Sequence, residues 1–105
     1  MTTEITDSNI DAFLQEDKLL VIDFKAEWCG PCRTLAPIIE ELAAEYEGQI
    51  NIGTCDVEDN NDLAIRYAIR NVPTLLFVRG GEIVERYVGM ASAEALRGKF
   101  EALLQ

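Results

Sequence analysis

The sequence predicts an α/β fold in which a mixed β-sheet is flanked by helices on both faces, a three-layer sandwich. Strand-like and helix-like patterns alternate along the 105 residues, two strand patterns are joined by a Gly-Gly turn, and a helix pattern closes the chain. No internal repeat, low-complexity run or linker rich in Gly, Ser or Pro interrupts this order, so residues 1–105 read as one domain.

The first element is a helix over Asn9–Glu16, with Asp7 or Ser8 as its cap and Ile10, Phe13 and Leu14 as its apolar stripe. LLVIDF, Leu19–Phe24, is short, continuous and β-branched, as a strand buried on both faces should be. Leu35, Ile38, Ile39, Leu42, Ala43 and Tyr46 then recur at helical spacing, with Glu40, Glu41, Glu45 and Glu47 on the other side. Gly48 stops that helix, and Pro37 inside it removes one backbone hydrogen bond and should kink its axis.

INIGTCDV, Ile50–Val57, reads as another strand, and Asn60 or Asn61 caps a short helix through Leu63 and Tyr67. Thr74–Arg79 and Glu82–Val88 form a hairpin about Gly80-Gly81, since glycine accepts the positive φ of a two-residue turn. Ser92 caps a last helix striped by Leu96, Phe100, Leu103 and Leu104.

Nearly half the residues are apolar, 49%, which suits a chain that buries one core without staples. Acidic residues outnumber basic ones by 19 to 9 for a net charge of −10, a field that repels phosphate backbones and anionic membranes. Nucleic-acid and membrane partners are therefore not expected. The opening MTTEITDSNIDAF lacks the basic and apolar regions of a secretory signal, so the expected location is the cytoplasm.

Two of the three cysteines lie in AEWCGPCR, where Cys29 and Cys32 enclose Gly30 and Pro31 at the start of a helix. That spacing closes a small disulfide ring with little backbone movement, so the pair can open and close reversibly. The exposed first thiol, Cys29, sits at the positive end of the helix, which favours its thiolate, and Cys32 is better shielded one turn in. Cys29 would attack a substrate disulfide and Cys32 would resolve the mixed disulfide, with Pro31 stiffening the ring. Two other readings compete. A zinc site would have to borrow carboxylates or a second chain, because the sequence has no histidine and only Cys55 besides the pair. A structural disulfide across so short a loop would constrain little chain entropy.

Asp23 lies in the middle of LLVIDF, where burial penalises its charge and favours its protonated form. A carboxyl of raised pKa beside the dithiol would take the Cys32 proton; the alternative is an edge-strand aspartate in solvent. Strand alternation places Lys25 on the same face, where its charge would favour an ionised Asp23 and a Cys29 thiolate, unless it extends to solvent across the groove rim. Cys55 faces away from that side as a packed, inert thiol if Thr54 faces toward it. Val72-Pro73-Thr74, a proline ahead of a strand, reads on spacing alone as a turn with an ordinary trans bond.

Taken together, WCGPC at Trp28–Cys32, Asp23, Pro37 and Val72-Pro73-Thr74 resemble the thioredoxin family, and the resemblance spans essentially the whole chain. It implies the thioredoxin fold, a cis bond at Pro73, and a protein-disulfide reductase. It also implies a substrate groove of Trp28, Gly30, Pro31, Val72, Pro73, Thr74, Gly89 and Met90, in which an extended segment pairs with the Val72 backbone. Trp28 and Met90 have core packing as their alternative. Electrons would come from NADPH through a thioredoxin reductase, with no bound cofactor, and pass to peroxiredoxins, methionine sulfoxide reductases or ribonucleotide reductase. The chain would act as a monomer. Two positions depart from the family pattern: Thr54 stands where a lysine is common, and Lys25 where an aromatic residue is common. An oxidant or isomerase on the same fold usually carries a histidine between its cysteines, which this sequence lacks; a binding subunit would need no turnover.

Overall fold

A strand buried on both faces organises the computed structural model, which describes residues 2–105; Met1 lies outside the described residues. In chain order the elements are β1 (Thr3–Glu4), α1 (Ile10–Leu14), β2 (Leu19–Lys25), α2 (Gly30–Glu45), β3 (Ile50–Asp56), α3 (Asn61–Arg66), β4 (Thr74–Arg79), β5 (Glu82–Val88) and α4 (Ala93–Leu104). The sheet runs β1-β3-β2-β4-β5, with β1 and β2 parallel to β3 and with the β2/β4 and β4/β5 pairs antiparallel. The mixed sheet arises because a crossover helix must join β2 to β3, whereas a tight turn suffices for β4 to β5.

β2 is central, and its alternation sorts the two cores. Leu19 and Val21 pack with Leu35, Ile39 and Leu42 of α2 and Leu96 and Phe100 of α4. Leu20, Ile22 and Phe24 pack with Ile10 of α1, Leu63 of α3 and Tyr67. Asp23 continues the first series, so it points to the face covered by α2.

The hairpin spans the residues its sequence predicts, and Gly80 and Gly81 both take positive φ, +60° and +81°, as a two-residue turn between twisted strands requires. The Ser92 hydroxyl caps α4 by accepting from the Ala95 N–H at 3.0 Å. α2 passes through Pro37 without a break over its 16 residues. Leu104, in the last turn of α4, stays 37% exposed while Leu103 packs on the core.

Three features differ from the sequence reading. First, α1 is shorter than expected and neither Asp7 nor Ser8 caps it; the Asn9 N–H donates to the Thr6 hydroxyl, and the Asn9 side-chain oxygen accepts from the Thr6 N–H at 2.8 Å. Second, Asp7 caps α3 instead, accepting from the Leu63 N–H at 2.9 Å, while the Asn60 side chain accepts from the Asp7 N–H. An acidic oxygen at that first turn matches the helix dipole. Third, β1 was not foreseen. It lies so close to β3 that a Cβ on Gly53 would sit 2.6 Å from both the Thr3 carbonyl and Ile5 Cγ1, so only glycine admits the pairing.

Candidate active site

The dithiol segment starts α2. Cys29 is the N-cap residue, extended at φ −89° and ψ 111°, and its Sγ accepts from the Cys32 N–H at 3.1 Å. Gly30 and Pro31 fill the first turn, where proline's fixed φ suits a helix and its missing N–H costs nothing. Cys29 and Cys32 are joined as a disulfide with their Cα atoms 5.2 Å apart.

Cys29 is not the exposed thiol expected from the sequence: it is 4% exposed against 2% for Cys32. The reason is the loop before β4, which packs over it. Ala26, Val57 and Val72 pack with the two cysteines, and the Val72 carbonyl lies 3.6 Å from Cys29 Sγ. The side chain that does reach solvent is the neighbour, Trp28, at 67% exposure, and Met90 is also exposed. Neither is core packing.

The Val72–Pro73 bond is cis. Behind it, the Gly89 N–H donates to the Pro73 carbonyl at 2.9 Å and ties the Gly89-Met90 turn to this loop, while the Tyr87 hydroxyl donates to the Met90 carbonyl at 2.8 Å within that turn. Gly89 takes φ +103°, a conformation for which a side chain would be strained. Thr74, expected at the groove, is instead fully buried; its hydroxyl donates to the Asn71 carbonyl at 2.6 Å and holds the loop from beneath. A cavity of about 280 Å³ opens beside Val72 and is walled by Trp28, Val57, Ile69, Arg70 and Asn71. Sequence reasoning missed this wall; its only signal was that Ile69-Arg70-Asn71 directly precedes Val72.

On the other side of the dithiol, Asp23 and Cys32 line one cavity of about 520 Å³ together with Lys25 and Thr54. Asp23 is 1% exposed, and among the described residues neither carboxyl oxygen has a hydrogen-bond partner. Burial therefore pushes its pKa up to about 7, against the pull of the Lys25 ammonium. Its strand neighbours are Thr54 on β3 and Leu75 on β4, neither of them charged.

Cys55 lies across the sheet, paired in register with Phe24 and packed in the second core. Burial pushes its thiol up to about 12, with Asp7 and Asp56 adding to the shift, so it holds its proton at neutral pH. Among the described residues, no group of three or more His, Cys, Asp or Glu side chains is placed to hold a metal, and no helix is long and apolar enough to cross a membrane.

A cysteine pair at a helix N-terminus, a cis-proline loop above it and a buried acid behind it can exchange two electrons as one dithiol. The same arrangement is recognised in the sequence by comparison. The family model described as Thioredoxin matches residues 1–102. "Thioredoxin 2" of Chlorobaculum tepidum is 42% identical over 99 residues, covering 93% of this chain and 91% of that protein. "Thioredoxin" of Staphylococcus saprophyticus is 43% identical over 93 residues, covering 89% of this chain and 88% of its own. The chain thus belongs to the thioredoxin family, and its Cys29–Cys32 pair is the redox-active disulfide of a thiol-disulfide oxidoreductase.

Proposed function

We propose that the chain, acting as a single domain and a monomer, is a general reductant of protein disulfides in the cytoplasm, where it contributes to redox homeostasis. The observation that carries the reading is the Cys29–Cys32 disulfide at the start of α2, with the Val72 carbonyl 3.6 Å from Cys29 Sγ.

In the dithiol form, the Cys29 thiolate attacks one sulfur of a substrate disulfide, forming a mixed disulfide and releasing the other substrate sulfur as a thiolate. The Cys32 N–H, already 3.1 Å from Cys29 Sγ, is placed to stabilise the attacking thiolate. Cys32 then gives its proton to Asp23 and attacks Cys29 Sγ. The bond to the substrate breaks, the substrate leaves with both sulfurs reduced, and the Cys29–Cys32 disulfide is restored.

Asp23 suits the acceptor role because its burial pushes the carboxyl to about pH 7, near neutrality, and because it shares a cavity with Cys32. Substrate recognition falls to Trp28, Gly30, Pro31, Val72, Gly89 and Met90, with Pro73 shaping the loop. An extended segment laid along Val72 is held by its backbone, which makes few demands on its side chains. The dithiol requires no bound cofactor. A thioredoxin reductase drawing on NADPH would restore it, and peroxiredoxins, methionine sulfoxide reductases and ribonucleotide reductase are the substrates proposed.

Dithiothreitol-driven reduction of insulin tests the assignment. Wild type should accelerate it, Cys29→Ser should not, and Cys32→Ser should accumulate a mixed disulfide without turnover. Normal turnover by Cys32→Ser would overturn the roles, and no acceleration by wild type would leave a binding subunit in place of a reductase.

A further inference from the structure

The acid behind Cys32 has no hydrogen-bond partner among the described residues, so its protonation answers to the charges around its cavity. Five titratable or charged groups besides Asp23 line that cavity: Lys25 from β2, Glu27 from the turn that follows, and Cys32, Arg33 and Glu40 from α2. The strands on either side of β2 add none, since Asp23 is flanked by Thr54 and Leu75.

Most of these groups are engaged elsewhere. Arg33 is exposed, and its guanidinium donates to the Glu27 carbonyl at 2.6 Å. Glu40 is exposed and accepts from the Thr2 hydroxyl at 2.6 Å and from the Thr2 N–H at 3.3 Å, bonds that hold its carboxyl below the usual range. Cys32 is tied to Cys29. Lys25 differs. It is half-buried, on the same strand face as Asp23, and the four ion pairs among the described residues, Arg66–Asp11, Arg97–Glu41, Arg97–Glu45 and Lys99–Glu85, leave it out. Two strand residues apart means about 6.6 Å between Cα atoms, well within the reach of a lysine stem. On its far side Lys25 borders a second cavity with Glu4, Asp56 and Asp59, so those carboxylates compete for the same ammonium.

The geometry points to Lys25 as a positioning residue of the resolving step: its charge, on a side chain that lines the cavity where β3 offers only Thr54, sets the proton affinity of the Asp23 carboxyl. This deepens the proposed function and rests on Asp23 accepting the Cys32 proton. A cation favours the ionised acid, which keeps Asp23 available as a base at neutral pH although burial works against it. Without that charge, Asp23 would stay protonated to higher pH and Cys32 would lose its acceptor there.

The test is the pH titration of the Asp23 carboxyl carbon by NMR in the oxidised protein, where the bonded Cys29–Cys32 pair does not titrate. Lys25→Met keeps the stem and removes the charge; its Asp23 midpoint should rise by about one unit, the low end of what an adjacent opposite charge produces. Lys25→Arg should leave the midpoint at the wild-type value, and adding Thr54→Lys to Lys25→Met should bring it back down. An unchanged midpoint in Lys25→Met overturns the inference. So does an equal rise in Lys25→Met and Lys25→Arg, which would mean that packing of the stem, not charge, is felt. The pH profile of insulin reduction by the same variants separates the two layers. A carboxyl midpoint that moves while the reduction profile stays fixed leaves Lys25 acting on Asp23 and removes Asp23 from proton transfer.

Discussion

Replacing Asp23 by Asn removes a buried carboxyl whose proton is held up to about pH 7 in the folded chain, against an ordinary value of 3.8. The sign follows from proton counting. Between those two values the folded state holds a proton that the unfolded state has lost, so stability falls as pH rises. The contribution is complete below about 3.8 and gone above about 7. At about 1.36 kcal/mol per pH unit the whole span comes to about 4 kcal/mol, and about 3 kcal/mol of it falls between about pH 5 and pH 8.5. Urea unfolding of oxidised wild type and Asp23→Asn at those two pH values isolates the term, because every other group titrates alike in both proteins. The unpaired amide left in the variant costs the same at both values and cancels. Relative to the variant, wild type should lose about 1–2 M in urea midpoint on going to the higher pH. Parallel pH dependence in the two proteins would refute the buried, unpartnered state of Asp23, and with it the basis for its proposed role as proton acceptor.

Three further outcomes are expected. Cys55→Ala should reduce insulin at the wild-type rate while lowering stability by about 1 kcal/mol, since the thiol packs in the second core across the sheet from the dithiol; a large loss of activity at unchanged stability would contradict this. Gly53→Ala should cost about 1–3 kcal/mol, because the new methyl meets the Thr3 carbonyl, and amide exchange at Ile5, whose N–H donates to the Thr54 carbonyl, should accelerate; a neutral substitution would show that β1 is free to shift. Trp28→Ala should lower kcat/KM for a protein substrate about fivefold or more, the effect of losing about 1 kcal/mol of contact, with the unfolding midpoint nearly unchanged because the ring is 67% exposed.

What could be read in advance follows from how far each signal reaches along the chain. LLVIDF announces β2, and Gly80-Gly81 announces the hairpin, because a continuous apolar run and a pair of turn glycines are local facts. The dithiol was equally legible, being contained within one helical turn. Asp23 drew notice as a carboxylate in an apolar strand, and the sheet then buried it. Contacts between distant segments carried no such mark. Asp7 caps a helix 56 residues away, and β1 is two exposed residues betrayed only by Gly53 in the strand beside it. Cys29 is covered by Val72 from 43 residues away, which is why a thiol placed at a helix start looked exposed. Thr74 shows the same limit, since its position next to Pro73 suggested the groove, while its buried hydroxyl serves Asn71.

The Cys29–Cys32 couple gives electrons to other disulfides. Both sulfurs are buried, which penalises a thiolate more than the neutral disulfide, and the Asp23 carboxyl in the cavity behind Cys32, once ionised, disfavours a second negative charge there. Each term favours the disulfide state and so makes the dithiol a donor. Equilibrating the protein with glutathione buffers of graded ratio, and quenching by alkylation, measures this balance directly. The couple should lie on the reducing side of glutathione, with the Cys29–Cys32 disulfide persisting until reduced glutathione is in large excess. A couple on the oxidising side, fully reduced in every buffer, would contradict this and make the chain an oxidant or isomerase.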